Sequence, residues 1–88
     1  MVSGRVKVLN KNGIHLRLAS ELVKAASSFN CEITIAKDSM EVNAKSILGV
    51  AGLGAELGQE LMIKAEGEDE DNALGLLVQM FKSGFSKR

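Results

Sequence analysis

The chain holds one histidine, His15, within Gly13-Ile14-His15-Leu16-Arg17-Leu18-Ala19-Ser20. The segment lies between turn residues and the first turn of an expected helix. Backbone N–H groups at a helix start lack acceptors within the helix, and with the helix dipole they favour anions. A neutral imidazole has a lone pair that can act as a nucleophile. Arg17, two residues on, can pair with phosphate oxygens. Nucleophile, cation and helix start together suit a phosphoryl group. A surface histidine beside a helix is the plainer alternative, and a His-x-Arg pattern alone does not separate the two.

A second candidate is Ser46, which precedes Ile47-Leu48-Gly49-Val50-Ala51-Gly52-Leu53. A serine before an apolar run is a helix N-cap signal. A phosphate there would sit at a helix start and be tolerated by the fold. The apolar residues Ile47, Leu48, Val50, Ala51 and Leu53 are too many for one face of so short a helix. The alternatives are a helix buried all round and an exposed apolar patch, which marks a docking surface. Cys31 reads as an inert core or boundary thiol. The run Glu68-Asp69-Glu70-Asp71 lacks the ligand spacing of a calcium loop and reads as a solvated helix start. One cysteine and one histidine can build neither an internal disulfide nor a zinc site. No cofactor or metal is expected.

The elements that must position these residues follow from periodicity. Arg5-Val6-Lys7-Val8 alternates as a half-buried strand, and Asn10-Lys11-Asn12-Gly13 breaks it. From Leu16 to about Phe29 the period becomes helical, with Ala19, Leu22, Val23 and Ala26 on one face. Glu32-Ile33-Thr34-Ile35 and Met40-Glu41-Val42-Asn43 flank a turn at Lys37-Asp38-Ser39, which predicts a hairpin. A short helix follows Ser46. Glu60 to Ala65 is the fourth strand, with Leu61, Ile63 and Ala65 inward. The last helix opens at Asp69 or Glu70, carries Ala73, Leu74, Leu77, Val78 and Phe81 inward, and stops at Gly84. Lys82, Lys87 and Arg88 at its end complement the helix dipole. The order β-α-β-β-α-β-α gives an α+β fold, a four-stranded antiparallel sheet with three helices on one face and the other toward solvent.

Length and composition agree with one small domain. A chain of 88 residues buries roughly 60–65% of the surface it exposes unfolded. Apolar residues at 45% and charged residues at 25% are ordinary for a globular domain. Eleven basic residues balance eleven acidic ones, which argues against a nucleic-acid binder with a basic face. The lack of Tyr and Trp removes the usual base-stacking groups. Nothing reads as a secretory leader, and no apolar run approaches the roughly 18 residues of a membrane span. A reducing cytoplasm is the expected compartment, without membrane insertion.

The segments Gly13-Ile14-His15-Leu16-Arg17 and Asn43-Ala44-Lys45-Ser46-Ile47-Leu48-Gly49-Val50, at this separation and in this element order, resemble the HPr family. These are the histidine-containing phosphocarriers of the phosphoenolpyruvate-dependent phosphotransferase system. The resemblance covers essentially the whole chain and implies a single HPr-like domain over 1–88. It implies an open-faced β-sandwich whose first strand lies beside the fourth, the fourth beside the second, and the second beside the third. It implies that Enzyme I phosphorylates His15 on Nδ1, that Arg17 helps hold the phosphate, and that a IIA-type protein receives it. Ser46 matches the site modified by HPr kinase/phosphorylase. Leu16, Ser20, Ile47, Leu48, Ala51 and Leu53 match the docking surface. Such a protein is a carrier with a transient phosphohistidine, not an enzyme. The alternative is a regulatory module of the same fold, switched at Ser46 with His15 idle.

Two residues depart from the family's usual His-Ala-Arg-Pro, since Leu16 and Leu18 stand in place of Ala and Pro. Leu18 gives up the preset φ of proline and restores one N–H at the helix start. The segment Met80 to Phe85 resembles the nitrogen-related branch of the family. Lys45-Ser46-Ile47 resembles the kinase-regulated branch.

Overall fold

A computed structural model describes residues 1–85. Along the chain it has β1 (Val2–Lys7), α1 (Leu16–Ser27), β2 (Glu32–Lys37), β3 (Met40–Asn43), α2 (Ile47–Gly52), β4 (Glu60–Glu66) and α3 (Glu70–Lys82). The order is the expected β-α-β-β-α-β-α. The sheet runs β1-β4-β2-β3 with every neighbour antiparallel.

Alternation decides which face each strand buries. Val6, Ile33, Ile35, Leu61, Ile63 and Ala65 are buried on one face. Their neighbours Arg5, Thr34, Met62 and Lys64 form the other, open face. On that face Lys64 and Glu41 pair at 3.0 Å. β1 begins earlier than the Arg5 expected from alternation. Val2-Ser3-Gly4 does not read as a strand because Gly4 offers no side chain to the pattern. Gly4 is where α3 crosses close to the sheet: a Cβ there would lie 3.4 Å from Leu74 and Val78. The β2–β3 turn has Asp38 at φ 55°, a left-handed conformation that Asp tolerates better than most residues.

α1 buries Leu18, Ala19, Leu22, Val23 and Ala26, the expected stripe with Leu18 added. It stops at Ser27 rather than Phe29: the N–H groups of Ser28 and Phe29 turn back to Ala25 and Ala26 at 3.1 and 3.2 Å. α3 buries Ala73, Leu77 and Phe81 fully and covers β1 with the half-buried Leu74 and Val78. Gly84 closes it in the left-handed region at φ 67°. The Phe85 N–H then bonds the Met80 carbonyl at 2.8 Å, and the Phe85 ring stands edge-on to Phe81 at 5.0 Å. Lys82 lies in the last helical turn, while Lys87 and Arg88 fall outside the described residues. Among the described residues no helix is long and apolar enough to cross a membrane.

Candidate functional site

The site is built on the loop between β1 and α1. A tight turn brings the Gly13 N–H to the Asn10 carbonyl at 2.9 Å. Gly13 has φ +73° and passes so close to the chain after α2 that a Cβ would meet the Ala55 carbonyl oxygen at 2.4 Å. The next N–H, of Ile14, donates to that same Ala55 carbonyl at 2.9 Å, and the Ile14 side chain is buried. The loop is thus fastened immediately before His15. By sequence Gly13 is a turn residue only. Its partner Ala55 lies 42 positions away and has no pattern to announce it.

His15 is the N-cap residue of α1, with extended backbone at φ −92° and ψ −178°. Its carbonyl accepts the Ala19 N–H at 2.9 Å, while its side chain makes no capping bond. The imidazole is exposed. The N–H groups of Leu16, Arg17 and Leu18 open the helix and have no acceptor within it. They supply the positive end of a helix of 12 residues. The two departures from the family motif go opposite ways. Leu16 is 64% exposed beside the histidine, whereas Leu18 is 2% exposed and belongs to the core. Leu18 therefore anchors the helix start by burial and keeps its N–H among the opening donors. Arg17 is exposed and forms an i,i+4 ion pair with Glu21 at 3.2 Å. The guanidinium is held on α1 by a surface contact, the weak kind that a stronger anion displaces.

Ser46 is the N-cap of α2: its Oγ accepts the Gly49 N–H at 3.1 Å. It stands at the end of α2 opposite to the one that leads into Ala55 and the His15 loop. One length of this six-residue helix, about 9 Å at 1.5 Å per residue, separates the two ends. α1 and α2 pack directly on each other. Leu48 is 85% exposed and Ile47 39%, Ala51 is half-buried and Ser20 exposed. These residues and Leu16 are thus at least partly accessible, as a docking surface would need. Leu53 does not join them. It is 3% exposed and packed in the core, so its assignment to the docking surface is corrected. Val50 and Leu53 are spaced i, i+3 and face inward, while Leu48 and Ala51 repeat that spacing on the outer side.

The acidic run is more structured than a solvated helix start. The two carboxylate oxygens of Asp69 accept the N–H groups of Asn30 and Cys31 at 2.9 and 3.0 Å. The Asn30 N–H above all holds the Asp69 carboxyl below the usual carboxylate range, against the opposing effect of desolvation. Glu70 accepts the Gly67 N–H at 3.0 Å and lies 3.4 Å from the Met1 ammonium. The Gly67 N–H foremost lowers its pKa. Burial pushes the Cys31 thiol up, and Asp69 beside it adds to the shift. Cys31 is thus the buried thiol expected. Among the described residues no cluster of His, Cys, Asp and Glu has metal-site grouping. A concavity of about 390 Å³ over the β2–β3 hairpin includes neither His15 nor Ser46. His15 lies on the exposed surface rather than in a cavity.

Comparison with known proteins agrees with this geometry. Residues 2–83 match the PTS-HPr family, described as the PTS HPr component phosphorylation site. The chain is 42% identical over 87 residues to the phosphocarrier protein HPr of Treponema pallidum (strain Nichols), covering 99% of each chain. It is 40% identical over 78 residues to the HPr-like protein Crh of Bacillus subtilis (strain 168), covering 89% of this chain and 92% of Crh. The crystal structure of HPr-C-His from Thermoanaerobacter tengcongensis superposes with a TM-score of 0.94 at 39% identity, over 100% of this chain and 99% of that one.

Proposed function

Since the chain belongs to the PTS HPr family, we propose that it is a cytoplasmic phosphocarrier, folded as one domain over 1–88, whose acceptor is His15. The observation that carries this reading is an exposed imidazole at the start of α1, on a loop fastened to Ala55, with no capping bond of its own. In the reaction, Nδ1 of His15 attacks the phosphorus of phospho-Enzyme I. The new N–P bond forms as the bond to the Enzyme I nitrogen breaks. A IIA-type protein then takes the group by the same in-line exchange. This chain contributes position and charge rather than turnover. The opening N–H groups of α1 and Arg17 face the added negative charge, and Arg17 exchanges Glu21 for a phosphate oxygen. Leu16, Ser20, Ile47, Leu48 and Ala51 provide the surface on which both partners dock.

Ser46 is the proposed regulatory position, modified by an HPr kinase/phosphorylase. Its hydroxyl already caps α2, so a phosphate is placed on the docking patch without unfolding the helix. Likeness to Crh, an HPr-like protein, supports a second reading, a regulatory module switched at Ser46 without transfer through His15. One experiment separates them. The chain is incubated with Enzyme I and phosphoenolpyruvate and its intact mass is measured. An acid-labile phosphate that disappears in His15→Ala supports the carrier. No uptake by the parent protein, with Enzyme I shown active on another HPr, removes it.

A further inference from the structure

β1 is an edge strand, and its backbone groups alternate between β4 and the outside. Just past its end, Val8 donates to the Gln59 carbonyl at 2.9 Å and accepts from the Gly58 N–H at 2.8 Å. Val6 therefore bonds inward to β4 and Val8 to the residues just before it, and Lys7 and Arg5 turn their N–H and C=O groups outward. Among the described residues no strand pairs with that outer edge. Beside it, between β1 and α3, runs a groove of about 220 Å³. Leu9, Val78 and Phe81 form its apolar wall, and Arg5, Lys7 and Lys82 its rim. Leu9 is 51% exposed. Among the described residues none of the three cations is in an ion pair. Glu60 opposes Lys7 in the ladder, on the β4 side and away from the edge.

Cations on an edge strand discourage pairing with a second copy, because two such edges would bring like charges together. The same cations attract an acidic strand. The two faces of β1 set its pattern. Arg5 and Lys7 leave β1 on the open side of the sheet and border the groove from there, while Val78 and Phe81 of α3 border it from the helix side. An added strand must then alternate acidic and apolar residues, the acids beside Arg5 and Lys7 and the apolar side chains toward Leu9 and Val78.

We propose that the free edge of β1, with the cation-rimmed groove against α3, receives an extended acidic–apolar segment of another protein by β-strand addition. This surface is separate from the His15 patch and does not depend on phosphotransfer. The test titrates the full-length ¹⁵N-labelled chain with the blocked peptide Val-Glu-Leu-Asp-Val-Glu. Amide shifts are expected at Arg5 to Leu9 and Val78 to Lys82, with slowed hydrogen exchange of the Arg5 and Lys7 N–H groups. Loss of both rim charges in Arg5→Glu/Lys7→Glu should weaken binding by about tenfold or more, and added salt should weaken it in the parent. A peptide with Lys at the acidic places, tested on the unaltered chain, should not bind. Several results would overturn the proposal. They are no shift at about 1 mM peptide, shifts centred on His15 and Leu48, and Arg5 and Lys7 amides that exchange as fast with peptide as without. The same shifts on raising chain concentration alone would assign the edge to a second copy. Equal binding of an anionic detergent micelle would assign the groove to amphiphiles.

Discussion

Replacing Gly13 by alanine tests whether the loop before His15 is held by the fold or merely rests there. Two penalties follow from its geometry. At φ +73°, a side chain in the left-handed region costs roughly 1–2 kcal/mol. The new Cβ also meets the Ala55 oxygen at 2.4 Å, so the two loop segments must part, and the Ile14-to-Ala55 bond is strained or lost. A hydrogen bond of that kind contributes roughly 0.5–1.5 kcal/mol. The sum is about 1.5–3.5 kcal/mol, against a total stability of about 4–13 kcal/mol for a domain of this length. In a thermal melt this is a fall of roughly 6–28 °C. Gly58 supplies the control. It has φ +88°, but nothing lies within 4 Å of the place its Cβ would take, so Gly58→Ala bears only the backbone penalty of roughly 1–2 kcal/mol. Urea unfolding of the two variants side by side isolates the clash. Phosphorylation by Enzyme I, corrected for the folded fraction, should be slowed in Gly13→Ala and not in Gly58→Ala. If Gly13→Ala is no less stable than Gly58→Ala and accepts phosphate as fast as the parent, the fastening of the loop to Ala55 has no role.

Arg17→Ala should slow phosphate uptake by about tenfold or more, from the loss of roughly 1.5–3 kcal/mol of charge-assisted contact. Its urea midpoint should barely move, since the exposed pair with Glu21 is worth only about 0.3–0.5 kcal/mol. Leu48→Ala should change stability by less than about 0.5 kcal/mol yet weaken Enzyme I binding by calorimetry, whereas Leu53→Ala should cost about 2–5 kcal/mol. Ser46→Asp should lower the apparent affinity for Enzyme I through like-charge repulsion that shrinks with added salt, with the amide spectrum of the free protein little changed outside α2. Asp69 has a pKa lowered by folding, so its stabilising effect is full above the unfolded value and is lost as pH falls through the folded one. The urea midpoint of the parent should therefore drop below about pH 4; Asp69→Asn should start lower at neutral pH and show a shallower acid limb.

The element order is legible in the sequence because alternation and helical spacing are local, and Leu61-Met62-Ile63-Lys64-Ala65 or Leu22 and Ala26 announce themselves. His15 and Ser46 are legible for the same reason, each standing where turn chemistry meets a helix start. What the sequence hides is long-range or confined to one turn of helix. The Asp69 carboxylate reaches Asn30 and Cys31 across 39 and 38 positions, so by pattern it is one more acid in a charged run. Leu53 groups with Leu48 in the sequence because a helix of six residues is too short for its inward and outward stripes to separate by eye. The spacing of Val50 to Leu53 nonetheless marks the inward pair. Gly4 hides the start of β1 because what it accommodates, the flank of α3, is contributed by Leu74 and Val78, near the other end of the chain.

The placing of β4 between β1 and β2 has a consequence for how the chain folds as it is made. β1 is complete at Lys7, but among the described residues its only sheet partner spans residues 60–66. Until that strand emerges from the ribosome, the β2–β3 hairpin is the one piece of sheet that local contacts can close, and the inward faces of β1 and β2 have nothing between them. The last strand to be synthesised is thus a keystone rather than an addition, and docking of α3 on β1 must wait for it. High contact order of this kind slows folding relative to helical bundles of equal size. It also makes the nascent chain, rather than the finished protein, the state in which Val6, Val8, Ile33 and Ile35 are most open to chaperones and to aggregation.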